Sequence, residues 1–201
     1  MKNTVKIIIL AIVSIAIAIV TEQMIAATAS IFWQKEIILE SYARFTWFLA
    51  MAAVIEEISK YWAIYFVIKN KFGLQKFKFI LASLFLGILW GIFEIGLAVY
   101  TNQNYLTEFK TGSPEILFSF GSLIAFHTLT AFLMGILISA NAFSGRLKHL
   151  KILFFPILIH ILFNFLVVQK GPYTNQLVII SLLIPFFIET AILAFNFRKL
   201  A

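Results

Sequence analysis

Residues 7–20 read IIILAIVSIAIAIV, and residues 79–93 read FILASLFLGILWGIF. Neither run alternates apolar with polar residues, as the strands of a membrane β-barrel do. The other structure that can cross lipid is the α-helix, because its backbone groups are hydrogen-bonded within the segment itself. The two runs therefore predict membrane-spanning helices.

The composition of the 201-residue chain also indicates a protein solvated by lipid. Hydrophobic residues make up 62% of the chain and charged residues only 12%, with a mean hydropathy of +0.98. A soluble domain is about one quarter charged. The net charge of +7 does not indicate a nucleic acid partner, because the basic residues lie between the apolar runs. The absence of Cys excludes disulfides, thiolate metal sites and cysteine nucleophiles.

Six stretches are long enough to cross a bilayer, which takes about 20 helical residues. They lie near residues 7–31, 45–68, 78–100, 115–140, 151–168 and 174–196. The first could instead be a signal peptide, since Ala27-Thr28-Ala29 resembles a cleavage site, but its apolar run is long for that role. We therefore predict one integral-membrane domain over residues 1–201, an all-α bundle of six transmembrane helices.

The basic residues predict the orientation of these spans. One side carries 11 of them, namely Lys2, Lys6, Lys69, Lys71, Lys76, Lys78, Arg146, Lys148, Lys151, Arg198 and Lys199. The other side carries 4, namely Lys35, Arg44, Lys110 and Lys170. Loops rich in Lys and Arg stay in the cytoplasm. We therefore expect a multi-pass protein of the plasma membrane with both termini cytoplasmic.

Ionisable side chains are costly in the hydrocarbon region and usually mark function. The polar residues of this kind are Glu22, Glu56, Glu57, Lys60, Glu94, His127, His160, Asn164 and Glu189. Lys60 follows Glu56 by four residues and Glu57 by three, so it can neutralise one carboxylate while the other faces a cavity. The alternative is a purely structural ion-pair cluster. Glu22 and Glu189 have no local partner and receive no role.

Three further predicted spans carry polar side chains. His160 and Asn164 are four residues apart, which puts them on one face of a helix. His127 lies in AFHTLTAF, and Glu94 ends a glycine-containing stretch, GILWGIFE, that suits close helix packing.

The depth of these residues connects the spans. At 1.5 Å per residue, Glu56, Glu57, His127 and His160 each lie within roughly 5 Å of the middle of their span, and Glu94 lies somewhat farther out. We therefore predict one polar site near the midplane, built by four helices.

The order of the motifs resembles the PrsW-type branch of the CAAX-protease and bacteriocin-processing intramembrane peptidases. The matching positions run from about residue 50 to residue 168 and are Glu56, Glu57, Lys60, Gly91, Phe93, Glu94, His127, His160 and Asn164. Ile95 stands where those proteins usually have Asn. The resemblance implies proteolysis within the membrane, with a membrane-anchored peptide or protein as substrate.

Peptide hydrolysis in lipid needs a water, a base and a donor to the oxyanion. We expect Glu56 or Glu57 to be the base and Asn164 to be the oxyanion donor. His127 and His160 would bind the water or a metal. Glu94 would be a second acid or ligand.

The need for a metal stays open at this stage. His127, His160 and Glu94 could hold a divalent ion such as Zn²⁺ with one position open. The chain has no Asp, which excludes a two-aspartate protease, and it lacks the His-Glu-x-x-His zinc motif. The remaining alternatives are a non-catalytic scaffold or immunity-type member of the same superfamily, or a small ion- or proton-coupled transporter.

Overall fold

The computed structural model describes residues 2–33, 46–65, 74–101, 103–140, 145–168 and 174–200. Within these ranges the chain is helical and contains no strand. The helices are α1 (Lys2–Trp33), α2 (Thr46–Trp62), α3 (Lys76–Thr101), α4 (Gln103–Lys110), α5 (Pro114–Ser139), α6 (Lys148–Val168) and α7 (Thr174–Leu200). The all-α fold class is confirmed for this part of the chain.

Five helices are long and apolar enough to cross a membrane. Their spanning segments are Thr4–Thr28, Lys76–Tyr100, Pro114–Ser139, Lys148–Val167 and Asn175–Ile192. Helix α2 is shorter, at 17 residues, and continues in a π-type turn over residues 63–65. Residues 45 and 66–68 of the second predicted span lie outside the described ranges, as do Lys35, Arg44, Lys69, Lys71 and Lys170 of the predicted loops.

The short helix α4 was not expected from the sequence. It lies in the predicted loop between the third and fourth spans, and the ring of Phe109 packs 5.8 Å from that of Phe120 on α5. Gly112 then adopts a left-handed conformation, with φ of 72°, which glycine accepts without steric cost. Pro114 begins α5, a position where its missing N–H is harmless.

Helix α5 is the central helix of the bundle. Over its most apolar 18 residues 61% of the residues are buried, against 22–39% in the corresponding stretches of the other four. Phe126, Leu133 and Met134 on α5 are completely buried. The outer helices instead expose large apolar side chains, such as Ile9 on α1 and Phe187 on α7, as lipid-facing surfaces do.

Two glycines on α3 allow α3 and α5 to pack closely. A Cβ at Gly87 would lie 2.4 Å from the carbonyl oxygen of His127, and a Cβ at Gly91 would lie 2.6 Å from Cα of Ile124. Only glycine fits at such distances, and small residues bring membrane helices together in this way. The close approach places Glu94, one turn beyond Gly91, against His127.

Candidate functional site

Lys60 lies at the centre of a polar cluster inside the bundle. Its ammonium donates to the carboxylate of Glu57, to Nδ1 of His127 at 3.0 Å and to Oγ1 of Thr130 at 3.3 Å. All four residues are completely buried. An ammonium has three N–H donors and no acceptor. These contacts therefore use every donor of Lys60.

The contact with Lys60 determines which nitrogen of His127 carries a proton. Because Lys60 can only donate, Nδ1 of His127 accepts, and the proton of the neutral ring is on Nε2. Nε2 in turn donates to the carboxylate of Glu94 on α3. The side chain of Glu94 is 38% exposed, so this chain of hydrogen bonds runs from the buried Lys60 to an accessible carboxylate.

Glu57 orients the second imidazole. Its Oε1 accepts a hydrogen bond from Nδ1 of His160 at 2.6 Å, which leaves the lone pair on Nε2. Nε2 of His160 lies 3.8 Å from Oε2 of Glu56. The ring of His160 packs edge-on against Phe126, with centroids 4.7 Å apart. A carboxylate on Nδ1 that leaves Nε2 available also orients the catalytic histidine of serine hydrolases.

The adjacent glutamates of α2 occupy different environments. Glu57 is completely buried and forms the ion pair with Lys60. Glu56 lines a cavity, and its Oε2 has no hydrogen-bond partner among the described residues. The sequence left open which of the two would pair with Lys60.

The cavity beside the cluster has a volume of about 650 Å³. Helices α1, α2, α3, α5 and α6 line it, and its polar lining consists of Glu22, Gln23, Glu56, Glu94, Ser119, Ser122 and Asn164. The rest of the lining is apolar or aromatic and includes Trp90 and Phe163. A mainly apolar cleft of this size with a few convergent polar groups is typical of a binding site.

The structure brings the six predicted site residues into one region. The ring centroids of His127 and His160 lie 5.4 Å apart. Three of the six line the cavity, namely Glu56, Glu94 and Asn164. The other three, Glu57, His127 and His160, are buried behind that wall. Both nitrogens of His127 are engaged, by Lys60 and by Glu94, so this ring cannot bind a water directly, whereas Nε2 of His160 faces Oε2 of the cavity residue Glu56.

A metal would compete with the hydrogen bonds of His127. Glu56, His127 and His160 offer ligand atoms within 4.8 Å of one another, whereas the set expected from the sequence had Glu94 in place of Glu56. Both nitrogens of His127 are already occupied, by Lys60 and by Glu94. A metal bound to Nδ1 would displace Lys60. A metal bound to Nε2 would move the ring proton to Nδ1, where the N–H would face the ammonium of Lys60. The residues as arranged do not suit a zinc ion.

Glu22 is a cavity residue to which the sequence analysis gave no role. It lies 20 positions after Lys2, and Glu94 lies 18 positions after Lys76. Both helices begin on the same predicted side of the membrane, so the two carboxylates have similar depths. This similarity in depth is the feature of the sequence that could have associated Glu22 with the site. Glu189, which also received no role, is buried on α7 and is not part of the cavity lining.

Trp90 is another residue to which the sequence analysis gave no role. Its indole Nε1 donates to Oγ of Ser14 on α1 at 3.1 Å. Nζ of Lys60 lies 5.3 Å from the centroid of its ring, within the range of a cation–π contact. Trp90 thus connects α1 to the polar cluster.

Comparison of the chain with family models, curated proteins and solved structures found no match. The resemblance to PrsW-type peptidases therefore stays a prediction from the motifs, and the function has to be argued from the geometry of the site.

Proposed function

We propose that this protein is a glutamate-dependent intramembrane endopeptidase that hydrolyses peptide bonds of membrane-anchored substrates. The observation that supports this most directly is the distance of 3.8 Å between Oε2 of Glu56 and Nε2 of His160. One atom is an unpartnered carboxylate oxygen at a cavity, and the other is an imidazole nitrogen with a lone pair. Such a pair can hold and activate one water.

The gap between these two atoms suits a single bridging water. A water about 2.8 Å from each would donate one hydrogen to Glu56 and the other to His160. Glu56 takes the proton as the water oxygen bonds to the carbonyl carbon of the substrate. The C–N bond then breaks as Glu56 returns the proton to the leaving amine. His160, held by Glu57, keeps the water oriented.

In this mechanism Asn164 stabilises the oxyanion. It lies one helical turn beyond His160 on α6, and it lines the same cavity as Glu56. Its carboxamide N–H groups can donate to the oxygen that becomes negative when water adds to the carbonyl. Glu57 and Lys60 position His160 and His127 and do not touch the substrate.

The proposal includes a location and an orientation in the membrane. Helix α2 and its π-type turn extend from residue 46 to 65, and 20 helical residues span about 30 Å, the thickness of the hydrocarbon core. This length supports α2 as a sixth span. The excess of basic residues on one side supports cytoplasmic termini in the plasma membrane. The bilayer and a membrane-anchored polypeptide are the partners.

Proteolysis should be tested with purified protein in proteoliposomes that contain a panel of single-span peptides. We expect the parent protein to release new peptide fragments, detected by mass spectrometry, and Glu56→Gln to release none. Glu189→Gln is the matched control, because it removes another buried carboxylate that does not line the cavity, and it should stay active. If the folded parent protein cleaves nothing across the panel, the scaffold or transporter hypothesis would replace this one.

A further inference from the structure

Glu22 of α1 is a buried carboxylate with no hydrogen-bond donor among the described residues. Its residue is 7% exposed, it lines the cavity, and its Oε1 forms no hydrogen bond to any described residue. A desolvated carboxylate that lacks a donor is costly. It needs either a proton or a cationic ligand.

The other carboxylates of the cluster already have basic or imidazole neighbours. Glu57 pairs with Lys60, Glu94 accepts from His127, and Glu56 lies near His160. Among the described residues, the cavity lining contains three carboxylates and no Lys or Arg. Glu22 is thus the cavity carboxylate that a cation from outside the protein would complement.

We propose that Glu22 binds the basic side chain of a Lys or Arg residue in the membrane-anchored substrate. This inference rests on the proposed function, since it assigns the substrate class of the same cavity. The apolar lining of the same cavity, which includes Ile15, Ile19 and Leu97, suits the methylene stem of such a side chain while its charge reaches the carboxylate. Glu22 is a specificity-determining residue and does not contact the scissile bond.

The position of the cavity agrees with a basic residue near the end of a substrate span. The lining comes from the middle and later parts of α1, from the later parts of α3 and α6, from the first and middle parts of α2, and from α5 as far as Leu123. The cavity therefore extends from the middle of the bundle toward one end. Lys and Arg side chains near the ends of membrane helices lay their apolar stems along the hydrocarbon region and extend their charged groups toward the interface.

Binding in nanodiscs tests this inference without requiring cleavage. Three fluorescent single-span peptides would carry Lys, Gln or Glu at one position near the end of the span, and all proteins would carry Glu56→Gln so that no peptide is consumed. We expect the Lys peptide to bind at least about tenfold more tightly than the Gln peptide, and the Glu peptide more weakly than either.

Variants then test whether Glu22 causes this preference. Adding Glu22→Gln should abolish the difference between the Lys and Gln peptides, whereas adding Glu189→Gln should preserve it. Glu22→Lys should reverse the preference in favour of the Glu peptide. Equal binding of the Lys and Gln peptides to the Glu22-containing protein, or a Lys preference that survives Glu22→Gln, would overturn the proposal.

The cleavage assay separates this proposal from the proposed function. If the parent protein cleaves the Lys and Gln peptides with equal efficiency, proteolysis stands and the role of Glu22 fails. If the Lys preference depends on Glu22 but no peptide is cleaved, the cation subsite stands and the protease hypothesis fails.

Discussion

Nζ of Lys60 lies 3.0 Å from Nδ1 of His127, and this contact joins two carboxylate–imidazole pairs. Lys60 also pairs with Glu57, which in turn orients His160. As a result the two imidazoles carry their protons on different nitrogens, Nε2 in His127 and Nδ1 in His160. A single buried cation therefore controls both rings.

Removal of Lys60 should destabilise the protein and inactivate it. Lys60→Met leaves the carboxylate of Glu57 buried without its cation, a change that costs about 3–5 kcal/mol when one partner of a buried pair is removed. We expect a lower thermal unfolding midpoint in detergent, together with loss of cleavage. Glu57→Gln should behave likewise, because it leaves the ammonium of Lys60 without its carboxylate.

The double variant Lys60→Met/Glu57→Gln separates stability from activity. With both charges absent, most of the lost stability should return, while cleavage should stay absent because His160 is no longer oriented by a carboxylate. If the double variant lowers the unfolding midpoint by the sum of the decreases in the two single variants, Lys60 and Glu57 do not stabilise the protein as a pair.

Glu56→Gln should abolish cleavage with little effect on stability. Oε2 of Glu56 has no hydrogen-bond partner among the described residues, so the amide removes a charge without breaking a contact of that atom. The amide cannot take a proton from water. Single-turnover rates and unfolding midpoints would be measured side by side. Full activity of both Glu56→Gln and Glu57→Gln would exclude a glutamate-dependent mechanism.

The lengths of the apolar runs were sufficient to predict the five long helices α1, α3, α5, α6 and α7. The helical rise of 1.5 Å per residue puts Glu56, Glu57, His127 and His160 near the middle of their predicted spans, and the structure brings these four residues together. The boundaries of α3, α5 and α6 fall within a few residues of those expected. The positions of the helices, and of residues along them, depend on local spacing, which can be read from a single sequence.

The environment of each side chain could not be obtained in the same way. By its spacing, either Glu56 or Glu57 could pair with Lys60. Only the packing of α2 against α5 and α6 puts Glu57 inside the bundle and Glu56 at the cavity. His127 cannot bind the water directly because its Nδ1 accepts a hydrogen bond from Lys60, which lies 67 residues earlier in the chain. Contacts at such separations follow from tertiary structure and not from periodicity.

The glycines of α3 should be required for the pair between Glu94 and His127. Gly91→Ala would place a methyl group 2.6 Å from Cα of Ile124, so α3 and α5 must separate. Overpacking of this kind costs about 1–3 kcal/mol. We expect a lower unfolding midpoint and reduced cleavage. Gly96→Ala on the same helix is the control, because a methyl group there meets nothing within 4 Å and should be tolerated.

Both termini should be cytoplasmic. The basic residues are distributed 11 to 4 between the two sides of the predicted spans, and six spans return the chain to its starting side. Reporter fusions at the N-terminus and at the C-terminus should both give the cytoplasmic signal. An external signal from only one terminus would mean an odd number of spans, and α2 would be the first candidate to be reassigned.

Purified protein should cleave its substrate without zinc. Lys60 donates to Nδ1 of His127, and the proton on Nε2 is directed at Glu94, so this ring offers no lone pair to a metal. Elemental analysis should find much less than one zinc per chain, and cleavage should persist after treatment with a strong chelator. Lys60→Met supplies the comparison, because it frees Nδ1 and should raise zinc binding above that of the parent protein. Stoichiometric zinc in the parent, with activity lost on chelation and restored by the metal, would mean that Lys60 moves away from His127 in the active protein.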